Sequence, residues 1–159
     1  MANKYIVPVY KTVFSEDFDY SIFDKRMQMQ KTIYLLEQMG VSIGDYGFTW
    51  YKHGPYSQQL LDDMYQESGS HVKQPNYTTR ATQALHKLKD EFNKARNYGF
   101  PYSMASWVEC IASLHYLKAN ILPPHTSKEN VLRELVERKP HLSNKQANEL
   151  AYSFVLTIV

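Results

Sequence analysis

The residue types that carry catalytic or metal chemistry are present in this chain but scattered. Six histidines stand at positions 53, 71, 86, 115, 125 and 141, with no His-x-x-x-His pair among them and one cysteine, Cys110, beside them. A structural zinc site draws four ligands from recurrent short spacings, so this pattern predicts no metal and no resident cofactor. Cys110 lies in the most apolar stretch of the chain, where a thiol is expected to be buried and inert. Asp62 and Asp63 are adjacent, and adjacent residues on a helix do not face each other. They are expected to favour a helix N-terminus electrostatically and not to act as an acid–base pair. With no phosphate loop or nucleophile elbow, the expectation is a non-enzymatic chain.

The residues whose spacing suggests recognition are concentrated between 26 and 60. Gln30 and Tyr34 are four apart and share one helix face, with Lys31 one step round it. Ten residues after Gly40 comes Trp50-Tyr51-Lys52-His53-Gly54-Pro55-Tyr56-Ser57. It reads as a short strand closed by a Gly54-Pro55 turn that launches a helix capped by Ser57. Gly54 permits close backbone approach, and Pro55 holds the turn at no entropic cost on binding. That geometry brings Tyr56 against the Gln30 face. The expected partner-binding set is Gln30, Lys31, Tyr34, Trp50, Tyr51, Gly54, Pro55 and Tyr56, with the aromatic rings as anchors and Lys31 as the orienting charge. The same polar groups also suit a bracing role, because a turn of this kind needs partners for its backbone. The two readings are compatible.

The order Arg26-x-x-x-Gln30-Lys31-x-x-Tyr34-Leu35-Leu36, Gly40, then Trp50-Tyr51-x-x-Gly54-Pro55-Tyr56-Ser57-x-x-Leu60 resembles the YwgA-like and Panacea (SocA-like) antitoxin domains. It is also similar to the C-terminal domain of DarG-type antitoxins. The resemblance covers residues 22 to 66 well and the rest loosely. One departure stands out: Panacea proteins usually keep a Trp-x-x-Gly-Pro-Val segment, whereas His53-Gly54-Pro55-Tyr56-Ser57 is nearer the YwgA-like branch. The resemblance implies a mostly helical, non-catalytic protein, antitoxin-like or a phage-defence accessory of prokaryotic or phage origin. It would act by binding and neutralising a partner protein such as a cognate toxin.

The alternative is a nucleic-acid-binding regulator of winged-helix type. Arg80, Lys87 and Lys94 recur every seven residues on one side of a predicted helix over 79–97, a stripe able to follow a phosphate backbone. Asp90 and Glu91 interrupt it, and lysines on exposed helices are most often simply solvated. The overall charge is only +2, from 18 Lys+Arg against 16 Asp+Glu, which adds little support.

Around these residues the chain reads as one domain of 159 residues, enough to bury about 68–70% of the surface exposed when unfolded. Thirteen tyrosines dominate the aromatic content, and tyrosine suits interfaces as well as cores. No apolar run approaches the roughly 20 residues of a membrane helix, and the N-terminus has no signal-peptide core. A cytoplasmic protein with no membrane contact is expected. Periodicity predicts helices over about 21–39, 58–66, 79–97 and 103–118, the last apolar around most of its girth. Two more should follow capping boxes at Thr126-Ser-Lys-Glu129 and Ser143-Asn-Lys-Gln146. Residues 1–20, where Pro8 interrupts an apolar run, permit an edge strand or a short helix. The expected fold is mainly α, a compact bundle of about six helices with one or two short strands.

Overall fold

The computed structural model describes residues 2–158. The apolar run at the N-terminus forms helix α1 (Ile6–Phe14). Pro8 lies in its first turn, where a missing N–H costs nothing, and Ile6, Val9 and Tyr10 are fully buried. Ser15 ends it in the left-handed conformation, φ 56°. The N-terminal segment is thus a helix of the core, which brings the α-helices among the described residues to seven where about six were expected.

The centre is built from α2 (Phe23–Gln38) and α5 (Met104–Tyr116). Every residue of α2 from Met27 to Leu36 is buried, as is every residue of α5 from Trp107 to His115. Their wide apolar stripes predicted that central position. Helices α1, α4 (Thr79–Tyr98), α6 (Lys128–Arg138) and α7 (Lys145–Val155) pack around this pair. Such burial also encloses polar residues in the core, and most of these are paired, the Thr32 and Ser113 hydroxyls excepted. Trp107 Nε1 donates to Glu91 O at 3.0 Å. Asn148 accepts from Tyr102 Oη at 2.8 Å and donates to Leu142 O at 2.9 Å. No helix is long and apolar enough to cross a membrane, among the described residues.

Three local expectations are corrected. Gly54-Pro55 is not a turn. Thr49–Tyr51 forms β1 and Gly54–Tyr56 forms β2, an antiparallel hairpin whose connection is Lys52-His53. Gly54 takes the positive-φ position after that connection, φ 92°, and Pro55 stands opposite Trp50. The capping boxes are each displaced by one residue. Ser127 and Asn144 are the caps, accepting from Asn130 N at 3.2 Å and Ala147 N at 2.9 Å. Thr126 instead bonds Pro123 O at 2.7 Å, and Tyr102 Oη fixes Asn144 by accepting its N–H at 2.8 Å. Lastly, α5 stops at Tyr116 and continues as a π-helical turn, Leu117–Ile121, where one α-helix was expected to run to 118. Ser57 caps α3 (Gln58–Gln66) as predicted, accepting from Leu60 N at 3.2 Å.

Candidate functional site: a hairpin braced from below

Pro55 has no N–H, so Trp50 and Pro55 must form the non-hydrogen-bonded pair of the hairpin. Gly54 and Tyr56 therefore face β1, while Pro55 and Ser57 turn their backbone groups towards α2. The Gln30-Lys31 pair meets them there. Gln30 Oε1 accepts Ser57 N–H at 2.9 Å, and its Nε2 donates to Ser57 O at 2.8 Å. The side-chain amide thus replaces the residue that a third strand would offer. Lys31 Nζ donates to Pro55 O at 2.8 Å. Two side chains of one helix complete the inner edge of a two-stranded sheet.

Both groups are enclosed, Gln30 at 3% and Lys31 at 2% exposure. Tyr34, at 1%, shares a 2.6 Å hydrogen bond with His115 Nδ1 and lies edge-on to Phe48. Burial pushes the Tyr34 phenol up and holds His115 down at about 4, so both are neutral at ordinary pH. Gln30, Lys31 and Tyr34 therefore act from inside. The expectation that they touch a partner gives way to the bracing role, because their polar ends are already used by the fold. Gly54 and Pro55 are also buried. A Cβ on Gly54 would lie 2.5 Å from Ser113 Oγ, which fixes how closely the hairpin rests on α5.

Beneath the hairpin turn is a charged centre that sequence reasoning missed. Glu109, 1% exposed, is the one acidic residue of α5. Its carboxylate lies 3.4 Å from Lys139 Nζ, 3.0 Å from His141 Nε2 and 3.9 Å from His53 Nδ1. Lys139, itself 2% exposed, also donates to Lys52 O in the turn. Desolvation pushes Lys31 down to about 7, opposed by Glu109 and assisted by the Lys139 charge. Lys139 is lowered by the same burial, again opposed by Glu109, and His53 is lowered chiefly by desolvation. The centre is an ion cluster that clamps the turn to α5 and the α6–α7 connection. Its signal in the sequence was a lone glutamate within an apolar helix. No group of three or more His, Cys, Asp or Glu side chains is placed to hold a metal, among the described residues. Cys110 is fully buried, its thiol pushed up by desolvation and in contact with Asn148 Oδ1 at 3.2 Å.

What the hairpin shows to solvent is aromatic. Tyr51 is 53% exposed and its ring lies 5.1 Å from that of half-buried Tyr56. Trp50, half-buried, packs beside Tyr116 under Lys139 Nζ, 4.9 Å from its ring centre. The surface extends through residues the spacing did not single out. Phe23 meets His53 at 5.2 Å, Tyr20 meets Tyr65 at 5.4 Å, and Arg26 lies over both Tyr20 and Phe23. Ile22, Phe23 and Tyr65 are 41%, 49% and 65% exposed.

The basic stripe of α4 is exposed but largely engaged. Lys94 pairs with the buried Glu91 at 2.6 Å. Lys87 reaches Thr157 O at 3.4 Å and lies over the Phe154 ring. The Arg80 guanidinium packs against Gly40 at the end of α2. No family model matches this chain, and comparisons with curated proteins and with solved structures give no match.

Proposed function

We propose that this chain is a non-enzymatic, cytosolic protein-interaction module that binds a partner through the aromatic surface formed by the hairpin, the start of α2 and Tyr65. One observation carries the reading: Ile22, Phe23, Tyr51 and Tyr65 are large apolar side chains, each more than 40% exposed; Tyr51 pairs with Tyr56 on the hairpin, Phe23 meets His53 of its turn, and Tyr65 meets Tyr20, which Arg26 joins to Phe23. Scattered exposed apolar residues are ordinary, but contiguous patches mark interaction sites, and tyrosine is enriched among interface anchors. The buried braces support the same reading, since a hairpin pinned on its inner edge and turn loses little freedom on binding.

The motif at residues 26–60 resembles that of antitoxin domains, which gives the partner a class: a protein toxin or phage-defence effector neutralised by occlusion. The test is affinity capture from the native host with nuclease treatment. One stoichiometric protein, retained at moderate salt by the native chain and lost with Tyr51→Ala/Tyr56→Ala at unchanged Tm, is the expected result. Recovery of nucleic acid alone, lost at higher salt and with Lys87→Gln/Lys94→Gln, would overturn the reading and move the function to α4.

A further inference from the structure

The charges on the three segments that carry the aromatic surface (residues 16–26, 49–56 and 58–66) indicate what it is suited to receive. Each cation of the first segment is already held by that segment. Lys25 Nζ donates to Asp17 O at 2.7 Å and lies 3.9 Å from Glu16, and Arg26 donates to Tyr20 O while covering the Tyr20 and Phe23 rings. Glu16 and Asp17 are matched in turn by Lys25 and Lys11. Three exposed carboxylates, Asp19, Asp24 and Asp62, have no ion-pair partner within 4 Å among the described residues, against the single ammonium of Lys52. Asp62 is tied to the Tyr56 phenol through Gln58, which accepts from Tyr56 Oη at 2.7 Å and donates to Asp62 at 3.0 Å. In a chain of net charge +2, unpaired acid thus outnumbers unpaired base on these three segments, while Arg138 and Lys139 lie over Trp50.

Exposed tyrosine faces with carboxylates at their edge attract cations: the ring quadrupole and the rim act with the same sign. We infer that the surface around Tyr51, Tyr56 and Tyr65 takes a basic segment of a protein partner, its Arg or Lys side chains seated on the rings and steered by Asp19, Asp24 and Asp62. The inference rests on the protein-binding reading above and specifies the chemistry of the partner. Arginine suits the site better than lysine, because its planar guanidinium stacks on a ring while its edge bonds a carboxylate. Arg26 on Tyr20 and Phe23 shows the same contact made within the chain.

The experiment is a titration of the full chain with three peptides of equal length, followed by NMR. One carries arginines spaced by Gly-Ser, one carries glutamates in the same positions, and one is proline-rich and uncharged. The arginine peptide should shift the signals of Tyr51, Tyr56 and Tyr65, with affinity falling as salt rises. Tyr51→Ala/Tyr56→Ala should weaken it about tenfold and Asp62→Asn about threefold, in keeping with cation–ring and rim-charge contacts. Equal or tighter binding of either other peptide at these tyrosines would overturn the inference, as would arginine-peptide shifts centred elsewhere. If the native partner is lost with Tyr51→Ala/Tyr56→Ala yet binds as well after its own basic residues are neutralised, the basic-segment inference fails and the interface stands. If neither change affects the partner, the interface itself fails.

Discussion

Gln30 and Ser57, 27 residues apart, are joined in both directions: one side-chain amide accepts the Ser57 N–H at 2.9 Å and donates to the Ser57 carbonyl at 2.8 Å. A helix side chain thereby closes a sheet edge that would otherwise bury two backbone groups without partners. Removing it should cost the fold. Gln30→Ala is expected to destabilise the protein by about 2–3 kcal/mol, since two buried backbone groups lose their bonds. Tyr51→Ala, at the exposed end of the same hairpin, should change stability by less than about 1 kcal/mol. Thermal or urea unfolding of the two variants side by side measures the contrast. Equal effects would mean that Gln30 is not a brace.

Lys31 gives the protein a pH dependence with a definite sign. Burial holds its ammonium at about 7 in the folded chain, against 10.5 for an exposed lysine. Between those values the unfolded chain binds the extra proton, so stability should rise with pH from about 7 towards 9.5 and flatten below 7. One proton contributes a slope approaching about 1.4 kcal/mol per pH unit. Lys31→Met should lose most of this slope, leaving the smaller contribution of Lys139, which is also lowered. Urea midpoints at four pH values across that window measure the difference.

Glu109 counters Lys139 at 3.4 Å in a site where both are almost fully enclosed. Glu109→Gln leaves that ammonium, and Lys31 beyond it, without a compensating charge. Removing one member of a buried pair typically costs about 3–5 kcal/mol, and a loss of that order is expected in urea unfolding at neutral pH. Lys139→Met in the Glu109→Gln background should recover part of it, because the uncompensated cation is then gone.

Gly54 combines a φ of 92° with a 2.5 Å approach of its would-be Cβ to Ser113 Oγ. Gly54→Ala therefore meets two penalties, of backbone and of contact. A loss of about 1–3 kcal/mol is expected from the strained conformation alone, more with the clash. Adding Ser113→Ala removes the contact and not the strain, so the double variant should recover part of the loss. Ser113 Oγ has no hydrogen-bond partner, so the single Ser113→Ala change should be nearly neutral. Melting temperatures of the three variants separate the two penalties.

Much of the fold was legible because its signals are periodic and local. The stripes of α2 and α5, the Ser57 cap and the apolar loading of α5 each pointed to what the structure contains. The errors came where two local signals compete. Gly54-Pro55 is a turn dipeptide by composition, yet Pro55 sits in a strand at a position that needs no N–H towards its partner. Thr126 and Ser143 each precede a residue that caps equally well, and tertiary contacts chose Ser127 and Asn144. The spacing of Gln30 and Lys31 pointed towards the 54–57 segment, but Ser57 and Pro55 meet them where Tyr56 was expected, and the spacing did not show which side of the hairpin faces solvent. Burial depends on α5 and the α6–α7 connection, and no window of sequence around residue 30 contains Glu109 or Lys139. The contributions of Phe23, Tyr20 and Tyr65 to the aromatic surface were hidden for the same reason.

Held from inside by Gln30 and Lys31, the hairpin leaves its aromatic face outward for the proposed partner protein. A photo-crosslinking amino acid placed at Tyr51, and separately at Lys87, tests this in the native host. A discrete protein adduct from position 51 and none from position 87 is the predicted result. A protein or nucleic-acid adduct from position 87 with none from position 51 would contradict it and place the working surface on α4.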